Sequence, residues 1–409
     1  MLGFVRTMSL FELKLLWKKP VFRFKLLLVV LLVGGLWWQF IFKDDHSKES
    51  ELYTVELDAQ ISESEKLSLR EHYGEDDEQA YLYEQRLNAS LKAYDSLIKE
   101  DYQTYVEARH RVVDIFLSHM YEQFQLRGGY RFDWAKSFTA TEEDNQEFGL
   151  KWYRYQEHAF SQLIDQEGLT EDQALFTTSI TMLTELFSVF RSWTFIGRYT
   201  WHITLLVTLL VSSHLSLSEK RHQSFLEVLP QYKSREAVKT AIGHGTLVTI
   251  FEISMFLVVT FIYGMLNEFG DISATTVTFW SGTWNKDYRI IPVFGVLTLC
   301  LLILWFFNLL ITGLITLFNV LFKEELITMI IISLAILFLP IVNVLGVEGS
   351  WMQYNPFSYV EIGNLVWGVQ EHFFTEGAFS FREFGISMSI ALVSVYLLSY
   401  VVISVIEKV

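Results

Sequence analysis

Residues 290–322 form a run of 33 positions without Asp, Glu, Lys or Arg. A bilayer's hydrocarbon core is about 30 Å thick and is crossed by roughly 20 apolar residues in a helix. In lipid only helices and closed barrels satisfy their own backbone, so this run predicts a membrane-crossing helix. It is longer than one vertical crossing needs, so it is tilted, kinked near Pro292, or protruding. Further apolar runs occupy 26–42, 199–217, 240–266, 326–347 and 384–406, with Glu252 the one charge among them. Six spans follow, and the fold class predicted is an all-α integral membrane protein.

Orientation comes from the basic residues. Residues 1–25 carry Arg6, Lys14, Lys18, Lys19, Arg23 and Lys25 against Glu12, interspersed with apolar residues. This reads as an interfacial amphipathic helix on an anionic inner leaflet. By the positive-inside rule both termini are cytoplasmic. Trp37-Trp38-Gln39-Phe40 offers no small-residue cleavage site, so 26–42 reads as a span and not as a signal peptide.

The net charge of −15 is unevenly spread: residues 43–191 hold 31 acidic and 15 basic residues, which leaves the rest near neutral. No proline falls between Pro20 and Pro230, so nothing in the acidic block, 43–192, breaks a helix by proline. Apolar residues recur at helical spacing from Tyr83 and Leu87 through Tyr105 and Val112 to Met120, which predicts one long helix over 78–124. A second helix is expected over 148–164, and a third begins at Thr170 and runs past Ile180 towards Phe187. The block is predicted to be a mostly helical extracellular domain between the first and second spans.

The remaining segments alternate sides. Residues 267–289 are a polar outer loop with Trp280 and Trp284 at interfacial positions, and Lys323-Glu324-Glu325 makes a tight inner turn. Residues 352–380 are too apolar for an ordinary loop and too interrupted for a span, so they read as re-entrant or interfacial helices. Cys300 is the sole cysteine, which removes disulfide frameworks and cysteine metal sites. Phosphate loops, H-E-x-x-H and G-x-S-x-G are all absent. The chain is therefore read as neither a nucleotidase nor an enzyme, and no cofactor, catalytic or metal residue is assigned.

Between the second and third spans lies a charged island, 217–243, with Phe225, Leu226 and Leu229 at helical spacing before Pro230. Its sequence, S-E-K-R-H-Q-S-F-L-E-V-L-P-Q-Y-K-S-R, resembles the coupling segment of the permease subunits of type-2 ABC exporters. Glu219, Arg221, Ser224, Phe225, Leu226, Glu227, Leu229, Pro230 and Arg235 stand where that pattern places its charged, small, apolar, proline and arginine positions. Asn355-Pro356-Phe357 is similar to the asparagine-proline that precedes the family's outer helices. The resemblance covers the membrane half, and the acidic domain is an addition that some subfamilies carry.

The resemblance implies a permease with a cytoplasmic coupling helix (217–239) that docks on a separate cytosolic ABC ATPase. ATP and Mg would bind to that ATPase and not to this chain. It further implies a second permease copy, identical or not, contact with membrane lipid, no nucleic acid, and residence in the plasma membrane of a bacterial cell. The cargo expected is an amphipathic molecule such as a peptide, lipid or drug-like compound. Glu252, within its span, is read as a pathway or interhelical position, as is Asn308. The competing readings are a membrane sensor or scaffold with an extracellular ligand-binding domain, and a membrane-embedded enzyme that uses Glu252 and the histidines.

Overall fold

The computed structural model describes residues 48–75, 77–120, 142–178, 180–181, 195–213, 233–271, 273–279, 288–345, 349–374 and 378–406. The expected N-terminal amphipathic helix and first span lie outside them, as do Trp280 and Trp284.

The acidic region is helical. Helices α1 (Lys48–Tyr73), α2 (Glu78–Ile98) and α3 (Tyr102–Ile115) pack in sequence, α3 continues into a π-helical turn (Phe116–Met120), and α4 (Glu142–Ile164) lies against α3. The seam read as one helix over 78–124 is two helices. Glu100 takes a left-handed conformation (φ 60°), and the Asp101 side chain accepts from the Thr104 N–H to start α3. The left-handed residue reverses the chain and the cap satisfies a donor that would otherwise be orphaned. Leu91 and Ile98, which fall at the seam's helical spacing, are exposed, while Tyr83, Leu97, Tyr105 and Phe116 are core.

A polar layer ties α1 to α2 and α3. Asp58 accepts from Arg86 Nη2 (3.1 Å) and Arg109 Nη1 (2.7 Å), and Tyr105 donates its hydroxyl to Glu51 at 2.6 Å. Burial pushes the Tyr105 phenol well above its ordinary range, and Glu51 adds to the shift, so it stays a donor. Burial disfavours the Arg109 charge, yet the Glu51 and Asp58 carboxylates outweigh it and hold the guanidinium above its usual range.

The third expected helix is interrupted: residues 180–181 are helical again, and Leu183 and Phe187 lie outside the described residues. Thr170 and Gln173 form a capping box, but α5 (Glu171–Ala174) ends within one turn because Phe176 turns left-handed at φ 57°.

In the apolar half, α6 (Phe195–Ser212), α7 (Lys233–Leu266), α8 (Val293–Phe322), α9 (Glu325–Ile336), α10 (Phe338–Leu345) and α12 (Phe381–Ile406) form the bundle, with α11 (Ile362–Trp367) at one end. Three stretches are long and apolar enough to cross a membrane: Ala237–Leu266, Val293–Phe322 and Phe381–Val405. Half of the α8 apolar window is buried, against 22% in α7 and 28% in α12, so α8 is the central helix. The outward rows of α7 (Ile250, Leu257, Phe261) and α12 (Ile390, Val393, Leu397) are left exposed, as lipid-facing rows are. Gly245 permits close approach, since a Cβ there would stand 3.1 Å from the Asn308 carbonyl oxygen of α8.

Two expectations change here. The run 326–347 is two helices, because Pro340 has no N–H for the Ile336 carbonyl and its ring crowds that oxygen. The chain is also not purely helical: β1 (Thr275–Thr278) and β2 (Arg289–Pro292) pair antiparallel, Thr275 opposite Pro292. The β-branched run of β1 favours a strand. Residues 290–292 thus belong to β2, and α8 begins cleanly after Pro292 with no kink there.

The acidic region sits at the end of the bundle where α7 finishes and α8 begins. Gln162 of α4 bonds both the N–H and the C=O of Thr275 at 2.8 Å, and Thr170 bonds Glu268. Lys151 Nζ lies 2.8 Å from His372 Nε2 in the 3-10 turn Gln370–Phe373.

Candidate functional site

Three helices bring polar side chains to one point inside the bundle. α6 carries Thr200, Thr204, Thr208 and Ser212 every fourth residue; α8 carries Asn308, Thr312 and Thr316 at the same spacing; α7 carries Thr249 and Glu252. Four residues is close to one helical turn, so each set forms a stripe on one face. All are buried. Most of the threonines return their hydroxyls to the carbonyl one turn back: Thr204 to Thr200, Thr249 to Gly245, Thr312 to Asn308 and Thr316 to Thr312.

The stripes meet at Glu252. Thr208 Oγ1 lies 2.6 Å from Glu252 Oε1 and 2.8 Å from Asn308 Oδ1. Asn308 Nδ2 donates to Glu252 Oε2 at 2.6 Å and to Thr249 Oγ1 at 2.9 Å. Glu252 is 4% exposed and Asn308 and Thr208 fully buried, so the bonds operate out of contact with water. Polar groups in such a medium are costly unless bonded, which makes the cluster a specific interhelical junction.

A second polar contact lies at the end of α6. Ser213 Oγ donates to Glu325 Oε1 at 2.5 Å, and Asn319 Nδ2 donates to the Ser213 carbonyl at 2.9 Å. It joins the end of α6 to α8 and to the first turn of α9.

Of the residues singled out in the sequence, Glu252 and Asn308 are brought together. Residues 219–230, which hold Glu219, Arg221, Ser224, Phe225, Leu226, Glu227, Leu229 and Pro230, lie outside the described residues. Arg235 belongs to the first turn of α7, a helix of 34 residues that runs unbroken to the Glu252 junction and beyond. Asn355 Oδ1 accepts from the Phe357 N–H at 3.1 Å, with Pro356 leading the 3-10 turn Pro356–Tyr359. This motif is a capped turn, not a continuous helix pair. Around it the chain folds tightly: Gln370 Nε2 donates to the Ser358 carbonyl, Tyr359 to the Gln353 carbonyl, and Ser387 of α12 to the Tyr354 carbonyl.

Thr208 and Thr249 were not anticipated, although the four-residue spacing on α6 was available as a signal. A shallow pocket also opens between α4 and the hairpin, lined by Tyr155, His158, Gln162, Phe176 and Asp271. His158 and Gln162 are both spent on Thr275, so its central polar groups are bonded within the chain. Among the described residues no group of three or more His, Cys, Asp or Glu is gathered that would hold a metal. Comparison with models of known families, with curated proteins and with solved structures finds no match.

Proposed function

We propose that this chain is the membrane-spanning permease subunit of an ATP-driven exporter of the type-2 ABC kind. It works as a pair of permease copies with a separate cytosolic ATPase, in a plasma membrane that each copy crosses six times. In this reading the acidic region and the turns around Asn355 stand outside, and the segment 217–239 stands inside against the ATPase. The cargo is an amphipathic molecule. The chain supplies a pathway and a coupling surface, and the ATPase binds ATP and Mg.

The observation that carries the reading is the continuity of α7. It begins at Lys233, three residues beyond Pro230 of the coupling motif, and extends through Glu252 to Leu266 as one helix. At about 1.5 Å per residue it is roughly 50 Å long, enough to span a bilayer from face to face. Force delivered to the start of α7 is carried along one helix to the polar junction with α6 and α8. Rigid-body movement of that kind is a common way for a remote site to act on a pathway.

The test is a gentle-detergent pull-down of the tagged chain from its native membrane, with nucleotide hydrolysis measured on the product. A stoichiometric soluble ATPase that is lost when Phe225 and Glu227 are both replaced by Ala is the expected result. A chain that purifies alone and hydrolyses nothing refutes the proposal.

A further inference from the structure

We propose that the junction of α6, α7 and α8 is a proton-binding site, and that Glu252 closes it as a neutral carboxylic acid. This does not depend on the export reading. The Thr208 hydroxyl has one hydrogen to donate, yet it lies 2.6 Å from Glu252 Oε1 and 2.8 Å from Asn308 Oδ1, two oxygens that can only accept while Glu252 is ionised.

Turning the Asn308 amide round does not help. Its nitrogen faces Glu252 Oε2 at 2.6 Å and Thr249 Oγ1, and the Thr249 hydroxyl donates to the Gly245 carbonyl. An oxygen in that place would meet a carboxylate oxygen and a hydroxyl already engaged. The amide orientation is thus set, and an ionised Glu252 leaves one close oxygen pair without a hydrogen between them.

One proton on Glu252 Oε1 removes the conflict. Glu252 then donates to Thr208, Thr208 to Asn308 Oδ1, and Asn308 Nδ2 to Glu252 Oε2. The ring closes with every donor used once, and it links three helices.

Charge points to the same proton. Glu252 is 4% exposed, and among the described side chains no cation forms a salt bridge with it. Other titratable groups occur on the elements packed around it. They are Arg198, Tyr199 and His202 on α6; Lys233, Arg235, Glu236, Lys239, His244 and Tyr263 on α7; Cys300 on α8; Lys323, Glu324 and Glu325 around the start of α9; and Arg382, Glu383, Tyr396 and Tyr400 on α12. The described side-chain bonds of Glu252, Thr208 and Asn308 run among themselves and to Thr249, and the Glu325 carboxylate accepts from Ser213. A lone charge so placed in a membrane is costly, whereas the acid form is not.

The experiment uses the full chain in lipid nanodiscs, as wild type, Glu252→Gln and Glu252→Ala. Gln reproduces the neutral acid: its nitrogen donates to Thr208 and its oxygen accepts from Asn308. Infrared spectra at neutral pH are expected to show an un-ionised carboxyl C=O stretch in the wild type that Glu252→Gln lacks. The Gln variant is expected to melt no lower than wild type, and Glu252→Ala lower than both. A folded state that keeps a proton the unfolded chain releases loses stability as pH rises. The wild type should therefore lose melting temperature on the alkaline side more steeply than Glu252→Gln.

Absence of the C=O band at neutral pH overturns the proposal. So does a Gln variant that melts as low as the Ala variant, or a wild type whose melting temperature rises with sodium or potassium, because a metal cation would then balance an ionised Glu252. The band is sought in the wild-type spectrum, with the Ala variant as a second reference, so the test stands even if Glu252→Gln does not fold.

Discussion

Replacing Asp58 by Ala tests whether the polar layer of the acidic region is structural. The carboxylate lies between two arginines whose side chains are 1% and 7% exposed, and it is itself 21% exposed. Removing one member of a buried pair costs about 3–5 kcal/mol, because the remaining charge loses its partner. Arg109 keeps Glu51 Oε1 at 3.3 Å, and water reaches the Asp58 side, so the lower end, about 3 kcal/mol, applies. At about 1.4 kcal/mol per tenfold, the opening equilibrium of α1–α3 should rise on the order of 100-fold. Amide hydrogen exchange on the full-length chain reads this directly, with α8 as the internal reference. Glu100→Gln, which removes the exposed Lys48–Glu100 pair, should leave the same amides unchanged. An exchange increase below about fivefold in Asp58→Ala would mean that the two guanidinium groups do not need the carboxylate, and the layer would be incidental.

Three other outcomes are expected. Burial holds the His158 imidazole below its ordinary 6.5, while the unfolded chain takes up its proton near that value. The folded state therefore binds fewer protons in that window, and stability at the α4–β1 junction is full above about 6.5 and drains as pH falls. The protection factor of the Val277 amide, corrected for intrinsic exchange at each pH, should fall on acidification in the wild type and not in His158→Gln. Gly313→Val should lower the melting temperature, since a Cβ there already comes within 2.9 Å of Val395 and overpacking costs about 1–3 kcal/mol. Asn308→Leu removes both hydrogen bonds that the amide donates, leaves Glu252 and Thr208 short of a partner, and should cost about 2 kcal/mol or more in thermal denaturation.

What could be read in advance depended on side-chain size. Helices α7, α8 and α12 announce themselves through long runs of large apolar residues. Helix α1 does not, because the residues it buries are Val55, Ala59 and Ser62, too small to make a seam, and its place is held by Asp58 and Glu51 instead. The split of the 78–124 helix turns on Glu100 and Asp101, a single left-handed residue followed by a cap, which periodicity over a longer window averages away. Pro340 was in plain view, yet hydropathy alone treats proline as neutral. Glu252 stood out because it is charged. Its partners are a threonine and an asparagine of a kind that apolar helices carry without any site, and only the fold shows which of them share a point.

The Gln162 amide, bonded to both polar groups of Thr275, occupies the place a neighbouring strand would take. Phe279, one residue past β1, likewise spends its N–H on the Trp367 carbonyl. One border of the two-stranded sheet is thus closed to intruders by a side chain and a turn, and the other ends in Pro292, which has no N–H to offer. A ribbon with both borders blunted resists recruiting strands from other molecules. That immunity matters most for an apolar chain crowded among copies of itself, and on the β1 border it begins with one glutamine.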